Sequence, residues 1–321
     1  MNFPVFDLHC DTALALLGRN YDTCGNLRSN SYHIDLDRAS VLPAYAQCFA
    51  CYTTTKEYPG GLRPVQVFER ELAAILTQIE SNADRIALAY SASQIEQNRK
   101  KGIFSGILTI EGPAGFDFNP DLLEDLYKIG FRITTLGWNE KNPLAGSHVT
   151  GGGLTELGRE YVAEAQRVGM LVDVSHISDE AFWDIMDITR GPIIASHSNS
   201  RAICNVSRNL TDEMFCAICK TGGVAGINLY SVFLGEDPDL NTVCDHILHF
   251  LELDPAGTHI ALGGDLDGCD SLPSGFAGVQ DYPKLAETLL DRGLAEDQVM
   301  NIFWNNAIGV IEHAVYKHSQ S

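Results

Sequence analysis

Cations are scarce: 22 Lys and Arg stand against 42 Asp and Glu in 321 residues, a formal net charge of −20. That balance excludes polyanionic partners, so neither nucleic acid nor an anionic membrane surface is expected. The acids are scattered rather than gathered in a tail, and most read as a soluble, self-repelling surface. The opening MNFPVFDLHCDT has no basic segment and no long apolar run, so no signal peptide or lipid anchor is expected there, and no transmembrane stretch follows. The nine cysteines are odd in number and lack a framework spacing, which suits free thiols in a cytoplasmic protein. Two Cys-x-x-Cys pairs, Cys48 with Cys51 and Cys216 with Cys219, lie in a strand-like and a helix-like segment and read as structural thiols. Neither Gly-x-Gly-x-x-Gly after the first strand nor a P-loop is present, so nucleotide cradles drop out. The run Gly151-Gly152-Gly153 reads as a flexible loop lid in preference to a phosphate nest.

What the chain does have is a repeat of short apolar runs, at 5–11, 44–53, 103–111, 131–138, 170–176, 192–197, 223–230 and 259–265. Helix signals lie between most of them. Asn119-Pro120, Ser178 and Thr211 open helices, and Gly130, Gly169, Gly191 and Gly222 each precede a run, as a glycine ending a helix in the left-handed conformation would. Eight near-continuous apolar strands alternating with helices predict a parallel sheet closed into a (β/α)8 TIM barrel, with residues 1–321 as a single domain.

Chemistry gathers at the C-terminal ends of these strands. In VFDLHCD the residues Asp7, His9 and Asp11 alternate, which places them on one face of the first strand. Charge inside a buried strand is tolerated when it is paired or binds metal. A lone His-x-Asp is more often a satisfied core histidine with a carboxylate partner, but its companions favour the metal. Glu111 ends GILTIEG, His176 ends MLVDVSH, His197 ends PIIASHS and Asp265 ends IALGGDLDG. In a barrel these ends form one rim. Three imidazoles and three carboxylates exceed the needs of one tetrahedral ion, and a shared carboxylate implies two ions roughly 3.5–4 Å apart.

The motifs DLHCDT, IEG, DVSH, SHS, NVSRN, INLY and GGDLDG, in that order and spread over the whole chain, resemble those of the membrane (renal) dipeptidase family of metallopeptidases, within the amidohydrolase-like barrels. The resemblance implies that His9 and Asp11 hold one zinc ion and His176 and His197 a second. Glu111 would bridge both ions, and Asp265 would carry the proton. It further implies that Arg208 grips the substrate's terminal carboxylate and that Tyr230 touches substrate. A surface arginine paired with Asp212 or Glu213, and a packed aromatic, are the plain alternatives for these two. FRITTLGW offers no lysine to be carboxylated as a metal bridge, which leaves Glu111 for that place.

One position departs from the family. Mammalian members carry a histidine at the end of the fourth run that helps polarise the scissile carbonyl, and Trp138 stands there in this sequence. Either zinc alone polarises the carbonyl, or Asn139 or His148 in the following loop supplies a donor. Asp7 and Asp267 are expected to orient the ligands and the loop of Asp265, and the other histidines to be structural. The expected reaction is hydrolysis of free dipeptides by a zinc enzyme, and the resemblance implies a homodimer, as the family often forms. The rivals are another hydrolase of the group, acting on a lactone, a β-lactam or an N-acyl amino acid, and a metal-bound binding protein without turnover.

Overall fold

The computed structural model describes residues 3–18, 20–22 and 24–318, with side chains as far as Glu312. Nine parallel strands form its sheet: β1 (Val5–Cys10), β2 (Tyr45–Tyr52), β3 (Ile86–Leu88), β4 (Phe104–Glu111), β5 (Phe131–Thr135), β6 (Leu171–Asp173), β7 (Ile193–Ile194), β8 (Ala225–Ile227) and β9 (Ile260–Leu262). The hydrogen-bonded order is β7-β6-β5-β4-β2-β1-β9-β8. A parallel bridge between Ala195 and Ala225 joins its two ends, with Gly226 N donating to Ala195 O at 2.8 Å. Eight strands thereby close into a nearly complete (β/α)8 barrel, and they are the eight apolar runs of the sequence. The extra strand β3 leans on the first half of β4, Ile86 opposite Phe104. Its three residues are too short a run to stand out from the polar flanks.

Alternation along each strand sorts side chains into two layers. Tyr45, Phe49 and Cys51 of β2 join Phe68 and Ile75 in the apolar layer between sheet and helices. Ala46 and Cys48 join Phe6, Leu8, Ile107, Ile133 and Ile194 inside the barrel. The paired cysteines Cys48 and Cys51 thus point to opposite faces, and all nine cysteines are free thiols.

The helix starts follow the capping chemistry of the sequence. Ser178 accepts from Ala181 N ahead of Asp179–Ile188, and Thr211 accepts from Met214 N ahead of Asp212–Thr221. Gly169 and Gly222 end their helices at φ 91° and 79°. Gly191 does not: that helix stops at Ile188 through the extended Thr189, and the glycine has no positive φ. The triple glycine lies in a loop joined to its surroundings at two points: Gly151 N donates to Ser147 O at 2.8 Å and Ser178 Oγ to Gly152 O at 2.6 Å. No described helix is long and apolar enough to cross a membrane.

Candidate metal centre

The first strand does not hold its three polar residues on one face. Between Asp7 and Cys10 the register with β2 slips, three steps on β1 against two from Gln47 to Phe49. This bulge turns His9 inward while Asp7 stays among the side chains behind the sheet. There Asp7 accepts hydrogen bonds from Tyr282 Oη, from His9 N at 3.0 Å and from Gly264 N at 3.0 Å. It therefore ties β1 to the loop that carries Asp265.

Inside the mouth, Glu111 stands at the centre of the cluster. Its Oε2 lies 3.4 Å from His9 Nε2, and its Oε1 lies 3.0 Å from His176 Nε2 and 3.9 Å from His197 Nε2. Asp11 and Asp265 approach His9 Nε2 to 3.8 and 3.9 Å. Ligand atoms of His9, Glu111 and His197, and of His9, Asp11 and Asp265, lie within 4.8 Å of one another. All six residues are buried, and all six were expected at the rim.

The hydrogen-bond partners fix the tautomers. His197 Nδ1 lies 2.7 Å from Ser196 Oγ, whose single hydrogen is committed to Asp173 Oδ2, so the imidazole must donate. His176 Nδ1 faces Asn139 Oδ1 at 2.8 Å and donates likewise. Both rings then present an Nε2 lone pair, and these two atoms lie 2.9 Å apart. Two facing lone pairs repel unless a cation lies between or beside them. His9 Nε2 and Asp11 Oδ1, buried without a hydrogen-bond partner, make the same demand. The donor set of imidazole nitrogen and carboxylate oxygen fits divalent zinc-like ions.

The electrostatics agree. Burial holds His176 and His197 far below the usual imidazole range, as neutral rings. Burial, with Asp11 next, pushes the Glu111 carboxyl up to about 7. Burial also lifts Asp265 to about 6, against the pull of His9. Burial would lower His9, but Glu111 and Asp11 overcome it and raise this imidazole well above its ordinary value.

Backbone strain and close approach shape the loops. His176 and Asp265 sit at φ 72° and 56°, conformations that cost a non-glycine residue ~1–3 kcal/mol each. A Cβ on Gly268 would come within 2.0 Å of Asp11 Oδ2 and 2.5 Å of Asp265 Oδ1, so only glycine fits beside the two carboxylates. Asp267 holds the same loop, accepting from Thr12 Oγ1 at 2.7 Å and from His33 N at 2.6 Å.

Around the cluster lie the residues expected to touch substrate. Arg208 is 4% exposed, far from the surface pairing considered for it, and Asp212 binds His249 instead. Its Nη1 donates to Ser198 Oγ at 2.5 Å, while Nε and Nη2 are buried without a partner. Burial lowers its pKa, opposed by Asp265, Asp173 and Glu111. Tyr230 packs edge-on to Phe233, whose ring lies 5.8 Å from the Arg208 guanidinium. Asn139 Oδ1 also receives His148 Nε2 at 2.8 Å, and His148 Nδ1 lies 3.0 Å from Ser207 Oγ, so both nitrogens of that ring are engaged. Burial pushes His148 down to about 4. Trp138 lies 6.3 Å from the His176 ring.

Several contributors carry no signal in the sequence. Asn228 donates to Asp265 Oδ2 at 3.0 Å and fixes that carboxylate. Ser196 and Ser198 flank His197 in SHS, one orienting the imidazole and the other holding Arg208, a pairing the motif hints at only in retrospect. Of the remaining histidines, His246 and His259 serve backbone groups, and the side chains of His313 and His318 lie outside the described residues.

A family model described as membrane dipeptidase, peptidase family M19, matches residues 1–321. An uncharacterised protein of Klebsiella pneumoniae is 33% identical over 269 residues, 79% of this chain and 98% of its own. An uncharacterised dipeptidase of Schizosaccharomyces pombe is 34% identical over 301 residues, 87% of this chain and 71% of its own. Among solved structures, a metallo peptidase from Rhodobacter sphaeroides, liganded with a phosphinate mimic of the dipeptide L-Ala-D-Ala, superposes with a TM-score of 0.88. It is 25% identical, over 98% of this chain and all of that one.

Proposed function

Since the chain belongs to the membrane dipeptidase family of metallopeptidases, we propose that it hydrolyses the peptide bond of free dipeptides with two zinc ions, as one barrel domain over residues 1–321. His9 and Asp11 would hold one ion and His176 and His197 the other, with one Glu111 oxygen turned to each side. When bound, such ions supply a water of low pKa and a Lewis acid.

The chain's own residues do the rest. Asp265, its second oxygen held by Asn228, takes the proton of the attacking water as the new C–O bond forms and the carbonyl π pair moves onto oxygen. When that pair returns, the C–N bond breaks and the same proton goes to the departing amine. Arg208 positions the substrate by its carboxylate, for which a planar fork of donors is the matching partner. Tyr230 and Phe233 wall that end of the site.

The observation that carries this reading is the buried Arg208 with two unpartnered nitrogens beside a cluster of metal-type ligands. A cation left unpaired in the interior is costly, and a substrate carboxylate is the group that completes it. The test is a panel of L,L and L,D dipeptides, tripeptides and a lactone, offered to zinc-loaded and chelated protein. Metal-dependent cleavage confined to dipeptides is expected. Lactone cleavage without dipeptide cleavage would move the activity to another hydrolase of the barrel group, and no turnover of any substrate would favour a binding protein.

A further inference from the structure

We propose that Tyr52 is a catalytic residue whose hydroxyl donates a hydrogen bond to the scissile carbonyl oxygen and holds the negative charge that develops there. The proposal rests on the dipeptidase reading and adds a residue to it. On β2 the inward positions are Ala46, Cys48 and Ala50, which places Tyr52, two residues on, inside the barrel mouth. Its partner in the ladder is Glu111, the carboxylate that faces all three histidines.

The residue is held through its backbone and through its ring. Tyr52 N donates to Glu71 Oε2 at 2.5 Å. Trp138 meets the phenol edge-on, centroids 5.3 Å apart at 76°, and Lys56 Nζ covers the indole at 4.7 Å. Glu140 accepts from Thr55 N at 2.9 Å and from Thr54 Oγ1, stitching the loop after β2 to the loop that carries Trp138. Yet the hydroxyl itself makes no hydrogen bond to any described residue. Tyr52 is only partly buried, and a hydroxyl with no protein partner, open to the barrel mouth beside a reaction centre, is free to donate to an oxyanion.

Position supports the carbonyl as its target. In the eight-strand order β2 stands opposite β7, whose following loop carries Arg208. A dipeptide whose carboxylate reaches Arg208 and whose peptide bond crosses the ligand cluster turns its N-terminal half, and so its scissile carbonyl, toward β2. Among the other polar groups nearby, both His148 nitrogens have partners and Asn139 Oδ1 takes two imidazoles, which leaves Asn139 Nδ2 and the Trp138 indole as the rival donors. The phenol keeps its proton throughout, so the proton route through Asp265 is unchanged.

The test is Tyr52→Phe, which removes one hydroxyl that makes no hydrogen bond to a described protein group, with zinc content measured alongside. Wild-type turnover of a dipeptide is recorded first; its absence defeats the dipeptidase reading and this proposal together. With active wild type, kcat is expected to fall roughly 10²–10³-fold while KM stays within about threefold. The Ki of a phosphinate dipeptide mimic, tetrahedral like the transition state, should rise by a similar factor. An unchanged kcat, a rise in KM alone, or a fall in kcat with no rise in Ki would overturn the assignment while leaving the dipeptidase reading intact. Should the variant lose zinc, the wild-type complex with the mimic decides: Tyr52 Oη hydrogen-bonded to a phosphinate oxygen supports the role, and Oη turned elsewhere overturns it. Trp138→Phe serves as control and should cost less than Tyr52→Phe; the reverse order would assign the donor to the indole and also overturn the proposal.

Discussion

Replacing Arg208 by methionine isolates the carboxylate grip. The side chain is 4% exposed, spends one nitrogen on Ser198 and leaves Nε and Nη2 without partners. Methionine keeps an unbranched, flexible stem but removes the charge and the fork of donors. A dipeptide would then bring its carboxylate into a buried pocket with no counter-ion. Removing one partner of a buried charge pair costs ~3–5 kcal/mol, which is roughly two to three and a half powers of ten in kcat/KM. Most of that loss should appear in KM, since the contact is made in ground and transition states alike. The assay compares a dipeptide with its C-terminal amide. The acid should lose the full factor and the amide less than about threefold, because the amide never used the cation. The substrate-free variant should also be no less stable than the parent, since it no longer buries two unpartnered guanidinium nitrogens, and thermal unfolding reads this directly. Equal losses on acid and amide would refute the grip, whatever their size.

Two further perturbations probe other parts of the site. Asp265→Asn retains the hydrogen-bonding shape next to Asn228 but cannot carry a proton; it should keep both metals while kcat falls about 10²–10⁴-fold, and wild-type turnover would sink the proton-transfer role. Glu71 is fully buried behind Tyr52, and burial raises its carboxyl well above 4.5. Below 4.5 both folded and unfolded chains hold this proton; as pH rises, the unfolded chain releases it first, so the cost to stability grows until the folded pKa is passed and stays at its full value above it. Glu71→Gln should therefore raise Tm at pH 7 to 8 with a gain that vanishes near pH 4, and a gain independent of pH would contradict the assignment.

How far the sequence reached follows from the range of each interaction. Periodic burial is local, so eight barrel strands and the capped helices at Ser178 and Thr211 were legible, while the three residues of β3 carried too little pattern. That six ionisable residues gather at the barrel mouth was legible because they lie at the ends of apolar runs, and a barrel turns that one-dimensional rule into a common rim. The bulge in β1 was not: alternation assigns Asp7 and His9 to one face, and only pairing with β2 reveals the slipped register. Gly191 shows the same limit, since a glycine before a strand looks alike whether or not it caps a helix. Asn228, Ser196 and Tyr52 stayed invisible because their roles depend on partners from other strands, and a lone Asn, Ser or Tyr has no spacing to betray it. Arg208 lay between: the resemblance singled it out, but its burial and its two unpartnered nitrogens are properties of the fold.

The central claim is that paired ions in the Glu111 cluster perform dipeptide hydrolysis. The most direct measurement is metal content by elemental analysis alongside dipeptide turnover, as chelated protein is titrated with zinc. The account predicts two equivalents per chain, with activity rising as they bind and lost again on chelation. Saturation at one equivalent, or dipeptide turnover that survives complete removal of metal, would contradict it.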